Sequence, residues 1–337
     1  MCLGLVMPEI CVSDRNYKLY MLPNILMLVV GLFVLIIGGD FLVKGASSIA
    51  LRAHISPLVV GLTIVAFGTS APELLISVKA ALDGSPDMTM GNVVGSNICN
   101  LALVLGVTAI IGVIKVNSDS IKIDWPVTMG SSLLLYFVVK EDAAMIKTYE
   151  GIIFIVLLVV YTVFIVRKSR KETKAQRALE QEMEDVAPSR HVGKDAFFIV
   201  VGCAGLYFGA DWFVGGAKNL AMFLGVSERV IGITVLALGT SLPELVTSIV
   251  ASVKKETDLA LGNLMGSNIF NILSILGITS IIKDIHVSEA IIKHDMVAMI
   301  GVTLLVLPMM LYKRTMGRVS GIILVVVYIF YTYTVIT

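Results

Sequence analysis

The sequence predicts an all-α, polytopic membrane protein, about ten transmembrane helices arranged as two inverted-topology repeats of five, with broken helices at the repeat cores. Three observations predict it. The 337-residue chain is 57% hydrophobic and only 15% charged, with a mean hydropathy of +0.91, whereas a soluble domain carries about 25% charged residues. Spread over that length, the apolar excess is more than a water-soluble core hides. Apolar runs of spanning length recur along the chain, and a long segment of the first half returns in the second at a fixed offset. The same composition excludes intrinsic disorder, and a net charge of +1 leaves no footprint for nucleic acid. Cys2, Cys11, Cys99 and Cys203 form no CxxC pair, so neither a disulfide frame nor a zinc site is indicated.

A helix crossing about 30 Å of hydrocarbon needs about 20 apolar residues. Such runs lie near 23–44, 56–80, 88–113, 125–140 and 149–167, and again near 195–217, 228–252, 258–282, 294–312 and 319–335. Residues 1–21 carry Glu9, Asp14, Arg15 and Lys18 and lack a basic start followed by a cleavable apolar stretch. They are expected to be an N-terminal extension, not a signal peptide. Transmembrane repeat 1 is expected over 22–166 and repeat 2 over 195–337. Between them, residues 167–194 form the one long polar stretch, with eight Lys or Arg residues, expected as a partly helical, solvated connector. The positive-inside rule places this loop in the cytoplasm, which leaves both termini outside after ten spans. On that arrangement 17 Lys or Arg residues lie inside and 9 outside; without the loop the tally is 9 against 9, so the loop alone sets the orientation. The expected location is the cell membrane.

The stretch from Gly39 through GTSAPEL and GNVVGSNICN aligns without a gap to the stretch from Ala210, at a constant offset of 171 that relates Asp40 to Asp211, Glu73 to Glu244 and Asn100 to Asn271. Roughly 30 of about 74 positions are identical, beyond what shared apolarity gives. Five spans, an odd number, separate matching elements, so the copies enter the membrane from opposite sides. Inverted repeats of this kind mark secondary transporters, with the substrate site near the midplane between the copies.

Two motifs recur inside apolar spans: Gly68–Leu74 (GTSAPEL) returns as Gly239–Leu245 (GTSLPEL), and Gly91–Asn100 (GNVVGSNICN) as Gly262–Asn271 (GNLMGSNIFN). Glu73 and Glu244 fall near the middle of their spans, where an ionised side chain costs at least a few kcal/mol. Neither motif offers a Lys or Arg. Two carboxylates at ~5 Å repel by roughly 3 kcal/mol at an effective dielectric of about 20, which a bound cation or a proton must relieve. Thr69 and Ser70 precede Glu73 by four and three residues, on the same helical face, and Thr240 and Ser241 repeat this around Glu244. Ser96 and Asn100, like Ser267 and Asn271, are four apart. Pro72 and Pro243 have no N–H, which deprives the Gly68 and Gly239 carbonyls of a helical bond. The helix is expected to break there and free nearby carbonyls, those of Ala66 and Ala237 included, as candidate ligands. Broken backbone at that depth must be buried in protein or line a cavity. Every candidate donor is oxygen, which suits Ca²⁺, with its six to eight oxygens, and also Na⁺.

In their paired, inverted arrangement these motifs resemble the α-repeats of the sodium/calcium exchanger family, within the cation/calcium exchanger superfamily. The match covers both repeat cores, about 150 residues. The resemblance implies a cluster of metal-ion sites used alternately by Na⁺ and Ca²⁺, with ligands at Ala66 (carbonyl), Thr69, Ser70, Glu73, Ser96 and Asn100 from one copy. The other copy supplies Ala237 (carbonyl), Thr240, Ser241, Glu244, Ser267 and Asn271. Potassium-dependent relatives carry an aspartate where this chain has Asn271, so the chain resembles potassium-independent members. The proton/calcium branch has a GNxxEH-type second motif where this chain has GSN, which counts against proton coupling.

The reading is therefore an antiporter, not an enzyme, exchanging Na⁺ for Ca²⁺ by alternating access. No HExxH, GxSxG or P-loop pattern is present. The alternatives are an H⁺/Ca²⁺ or K⁺-dependent Na⁺/Ca²⁺ antiporter and, from a different class, a passive cation channel. No cofactor and no obligatory protein partner is expected beyond the transported ions and the bilayer. Asp40 and Asp211 read as interfacial caps or hinge contacts, the four histidines as solvated loop residues, and the sixteen methionines as lipid-facing or gap-filling side chains.

Overall fold

The structure, a computed structural model, describes residues 14–141, 144–180, 192–225 and 237–336. The first half is built from α1 (Asp14–Ala53), α2 (Pro57–Thr69), α3 (Ala71–Leu82), α4 (Pro86–Ile111), α5 (residues 120–141) and α6 (Thr148–Glu180). The second half supplies α7 (Val192–Phe223), α8 (Ala237–Thr240), α9 (Leu242–Val253), α10 (Thr257–Ile282), α11 (Ile291–Leu311) and α12 (Arg318–Ile336). The chain is a polytopic helical membrane protein. Among the described residues seven helices are long and apolar enough to cross a membrane, and the pair α2–α3, bent by 46°, makes an eighth if it is one span. Two of the ten expected spans do not meet that measure. In α5 the α-helical part after the π-helical turn, Trp125–Glu141, has only 17 residues, and 228–236 of the expected seventh span lie outside the described residues, which leaves α8 and α9 of it.

Two helix ends fall inside the segments that flank the repeats. Helix α1 starts at Asp14, so residues 14–21 continue the first helix instead of standing apart from it. The sequence explains this: no Gly or Pro interrupts 14–22, and an acidic residue suits a helix start. Helix α6 likewise runs on to Glu180 through the first half of the charged segment, with an i,i+4 pair between Lys168 and Glu172 (3.4 Å) on its polar continuation.

The helix break falls at Ser70, with φ −87° and ψ 6°, and its counterpart Ser241 has φ −87° and ψ 5°. Both conformations follow from the same local chemistry, a proline two residues on that removes one ladder bond and a glycine two residues before. The Ala66 carbonyl, however, is not freed as expected. It accepts from the Ser70 N–H (3.0 Å) and from the Thr69 hydroxyl (3.3 Å), because the ladder bond removed by Pro72 belongs to Gly68, two residues further on.

The two halves interlock in a mirrored way. A two-residue strand β1 (Ile114–Lys115) after α4 pairs antiparallel with β4 (Thr315–Met316) before α12, and β2 (Met145–Ile146) before α6 pairs with β3 (Ile285–His286) after α10. No periodic pattern in the sequence marks these four pieces as strands. They are the rims where two repeats meet and satisfy backbone groups at helix ends. Helices α1 and α7 pack along glycines spaced by seven, Gly31, Gly38 and Gly45 against Gly202, Gly209 and Gly216; a Cβ at Gly38 would lie 2.7 Å from the Leu206 nitrogen. Small residues at this spacing let two backbones approach where lipid supplies no hydrophobic drive.

Burial separates the helices into centre and rim. The apolar windows of α4 and α10 are 72% and 78% buried, against at most 33% for the other spanning helices. The two GNxxGSNxxN helices therefore form the middle of the molecule, and α1, α6, α7 and α12 turn exposed Leu, Val, Ile and Phe side chains outward.

Candidate ion-binding site

Helices α3 and α9 enter the centre directly behind their breaks, and each places its glutamate in the first turn. Both Glu73 and Glu244 are fully buried, at 0% exposure. The nearest polar neighbours are hydroxyls. The Ser70 hydroxyl donates to Glu244 Oε1 at 2.9 Å, and the Ser267 hydroxyl donates to the same oxygen at 3.3 Å. The Ser70 bond crosses from the first repeat to the second, so the residue that breaks α2 from α3 also ties the two motifs together. Thr69 Oγ1 donates to Asn263 Oδ1 at 3.1 Å and lies 3.4 Å from Ser267 Oγ.

The polar atoms left over define the site. Glu73 Oε1 and Oε2, Glu244 Oε2, Asn100 Oδ1 and Nδ2, Asn271 Oδ1 and Ser241 Oγ are buried without a hydrogen-bond partner. Buried polar groups in native proteins are nearly always paired, and an unpaired ionised carboxylate costs far more than a neutral group. All but one of these seven atoms are oxygens, and no cation pairs with either glutamate among the described salt bridges. A cluster of inward oxygen acceptors carrying two formal negative charges is what a partly dehydrated metal cation takes.

Of the twelve nominated positions, Ala66, Thr69, Ser70, Glu73, Ser96, Asn100, Ser241, Glu244, Ser267 and Asn271 are buried in the structure. Thr240 is half-buried at the end of α8, and Ala237 opens that helix. Ser96 turns its hydroxyl to the Asn92 carbonyl (2.6 Å), so in this arrangement its donor is spent on its own helix.

Sequence reasoning nominated the last asparagine of each motif and passed over two others. Asn97 and Asn268 face each other across the centre: each side-chain amide donates to the other's backbone carbonyl, at 3.3 and 3.1 Å. Asn97 Oδ1 also accepts from Asn271 Nδ2 (3.0 Å), which turns Asn271 Oδ1 free. Asn92 Nδ2 reaches Ser77 Oγ at 2.9 Å and the Glu73 carbonyl at 3.3 Å, and Asn263 Nδ2 reaches Ser248 Oγ at 3.2 Å. These bonds fix α3 to α4 and α9 to α10. Their signal was present in the sequence, since all three pairs are identical at the offset of 171.

The remaining candidates sit apart. Asp40 is ion-paired with Lys44 (2.6 Å) and with Lys254 beyond the end of α9, while Asp211 is exposed. His54, His286 and His294 are exposed. His286 and His294 occupy β3 and the first turn of α11, not loops, and His191 lies outside the described residues.

A family model described as sodium/calcium exchanger protein matches residues 23–167 and 194–337. The chain is 32% identical over 340 residues to the sodium/calcium exchanger MaX1 of Methanosarcina acetivorans, covering 91% of this chain and 96% of that protein. It is 32% identical over 303 residues to the inner membrane protein YrbG of Escherichia coli, covering 88% and 92%. Among solved structures, the sodium-calcium exchanger NCX_Mj soaked with zero Na⁺ and Ca²⁺ superposes with a TM-score of 0.79 at 30% identity, covering 94% of this chain and 99% of that one.

Proposed function

Because the chain belongs to the sodium/calcium exchanger family, a family of transporters and not of enzymes, we propose that it is an antiporter that exchanges Na⁺ for Ca²⁺ at the buried cluster around Glu73 and Glu244. The observation that carries this reading is the pair of fully buried carboxylates, one from each repeat, that share no protein cation and retain three unpaired oxygens. Two negative charges neutralise one Ca²⁺ or more than one Na⁺. The proposed ligands are Glu73, Glu244, the hydroxyls of Thr69, Ser70, Ser96, Thr240, Ser241 and Ser267, the amide oxygens of Asn100 and Asn271, and the carbonyls of Ala66 and Ala237. Binding at Ala66 and Ser96 requires their present hydrogen bonds to give way to the ion.

With the site empty and both groups ionised, the carboxylates are each left without a counter-charge. Isomerisation of the empty carrier is thereby disfavoured, which enforces exchange over leak. Access alternates in this proposal through movement of the α1–α7 pair against the core of α2–α3, α4, α8–α9 and α10. The connector 167–194 is proposed to face the cytoplasm and both termini the outside. If more than two Na⁺ cross per Ca²⁺, net charge moves, and voltage contributes about 2.3 kcal/mol per charge per 100 mV.

Proton coupling and sodium coupling separate in one assay. Proteoliposomes preloaded with Na⁺, with K⁺ or with buffer of shifted pH are diluted into ⁴⁵Ca²⁺. Uptake is expected only with Na⁺ inside; uptake that follows the pH gradient and ignores Na⁺ makes the chain a proton/calcium antiporter. A smaller test addresses the inter-repeat bond. Ser70→Ala removes a donor to a charged acceptor, worth about 1.5–3 kcal/mol. The Ca²⁺ concentration for half-maximal uptake is expected to rise about tenfold to hundredfold.

A further inference from the structure

The repeat has a second mirrored pair of polar side chains, outside the central cluster. The Tyr161 hydroxyl donates to Asp124 Oδ1 at 3.1 Å, and the Tyr331 hydroxyl donates to Asp295 Oδ1 at 2.9 Å. Asp124 and Asp295 are related by the offset of 171, and the tyrosines by 170, after one residue is lost in the loop before α12. Each aspartate closes a wide π-helical turn, Ser120–Asp124 in α5 and Ile291–Asp295 in α11. The shared acid–phenol bond fastens α5 to α6 and α11 to α12, a structural role common to both halves.

Only the first copy carries more than that. Asp124 is 2% exposed, yet its Oδ2 and the Ser120 Oγ beside it have no hydrogen-bond partner other than one another. Asp124 lines a cavity of about 20 Å³, whose other polar walls are Ser56, Asp119, Lys168, Ser169 and Glu172. That is room for one water-sized particle. Lys168 is the single cation on the wall, and it is engaged by Asp119 at 2.5 Å and Glu172 at 3.4 Å. Three carboxylates thus meet one ammonium, with the most buried of the three unsatisfied. In the second copy Ile291 stands where the first has Ser120, and Ala290 where it has Asp119; Asp295 is also less buried.

We infer that Asp124, with Ser120, forms a second cation site that binds one Na⁺ on the membrane face where the 167–194 segment begins, separate from the transport site. The donor set decides the ion. Ca²⁺ takes six to eight oxygens, whereas here Lys168 already engages Asp119 and Glu172, which leaves one unpartnered carboxylate oxygen on Asp124 and the hydroxyls of Ser56 and Ser169 against an apolar wall of Leu58, Val59, Leu62, Ile123 and Ile165. A small monovalent cation fits both the space and the uncompensated charge. The site touches α2, whose far end bears Thr69, so its occupancy bears on the helix that enters the centre.

The test is equilibrium binding of ²²Na⁺ to the purified full chain in detergent, with Glu73→Gln/Glu244→Gln as the background that disables the proposed transport site. One Na⁺ equivalent is expected to remain in that background, to disappear with Asp124→Asn, to weaken at least fivefold with Ser120→Ala, and to persist with Asp295→Asn. Absence of Na⁺ from the background variant overturns the inference and leaves Asp124 as a protonated or hydrated side chain. Binding that survives Asp124→Asn overturns it as well. If Asp124→Asn fails to give a monodisperse protein, the Ser120→Ala measurement stands alone, and an unchanged affinity there is equally fatal. The sodium-coupling assay above is independent of all these outcomes.

Discussion

Replacing Glu73 by Gln, or Glu244 by Gln, is expected to reduce Na⁺-driven ⁴⁵Ca²⁺ uptake by proteoliposomes to the level of empty vesicles. Either change leaves a divalent ion facing one negative charge in place of two, in a buried site where each charge–charge contact is worth several kcal/mol. A loss of at least hundredfold in affinity follows, since about 1.4 kcal/mol is tenfold. The amide keeps the volume of the carboxylate, so packing is preserved. The two variants are not equivalent in detail. Glu244 Oε1 already accepts from Ser70 and Ser267, while both Glu73 oxygens are unpartnered. In cation-free buffer Glu73→Gln is therefore expected to unfold at a temperature no lower than the parent, because an uncompensated buried charge has been removed. A variant that is inactive and folded separates loss of a ligand from loss of the fold. Normal uptake by either variant refutes the proposed site.

Gly262→Val is expected to be the most damaging single change outside the proposed ligands. Helices α2 and α10 meet there backbone to backbone: a Cβ at Gly262 would collide with the Leu58 carbonyl oxygen and lie 3.1 Å from the Leu62 nitrogen, and one at Gly61 would lie 2.6 Å from the Leu259 oxygen. No side-chain rotamer relieves a clash with backbone. The helices must separate, and overpacking of a tight contact costs about 1–3 kcal/mol or more. Separation also acts on the site. Asn263, the next residue, accepts from Thr69, and Ser267 donates to Glu244, so the second motif moves away from the first. The expected result is a thermal midpoint several degrees lower, together with at least tenfold slower uptake. Gly262→Ala is expected to show the same effects more weakly. Unchanged midpoint and uptake in the valine variant would mean that the α2–α10 approach is not required.

Much of this molecule was legible in the sequence because the repeat writes each element twice. An identity between Glu73 and Glu244, or between Pro72 and Pro243, marks a constraint that apolarity alone does not explain, and the breaks at Ser70 and Ser241 follow from proline chemistry. Less was legible where the signal is geometric. Asn97 and Asn268 sit inside a quoted motif, but their reciprocal bonds depend on α4 and α10 crossing at that level, which no spacing rule states. The π-helical turns at Ser120–Asp124, Cys99–Val104 and Asn271–Leu276 have no sequence signature, yet they decide which way Asp124, Asn100 and Asn271 point. The four short strands were invisible for a related reason: two residues are too few for a periodic pattern. The glycines Gly31, Gly38 and Gly45 and their copies Gly202, Gly209 and Gly216 were open to reading, as a seven-residue interval repeated at the common offset. The freed Ala66 carbonyl was overreached, since a proline orphans one carbonyl and not its neighbours.

The central claim is that one Ca²⁺ sits between the two glutamates contributed by opposite repeats. Anomalous diffraction from crystals of the full chain soaked with Sr²⁺, a calcium analogue that scatters strongly, tests it directly. A peak is expected within coordinating distance of both Glu73 and Glu244, fading as Na⁺ in the soak is raised. A central cavity without a peak at saturating Sr²⁺, or a peak that contacts neither carboxylate, contradicts it.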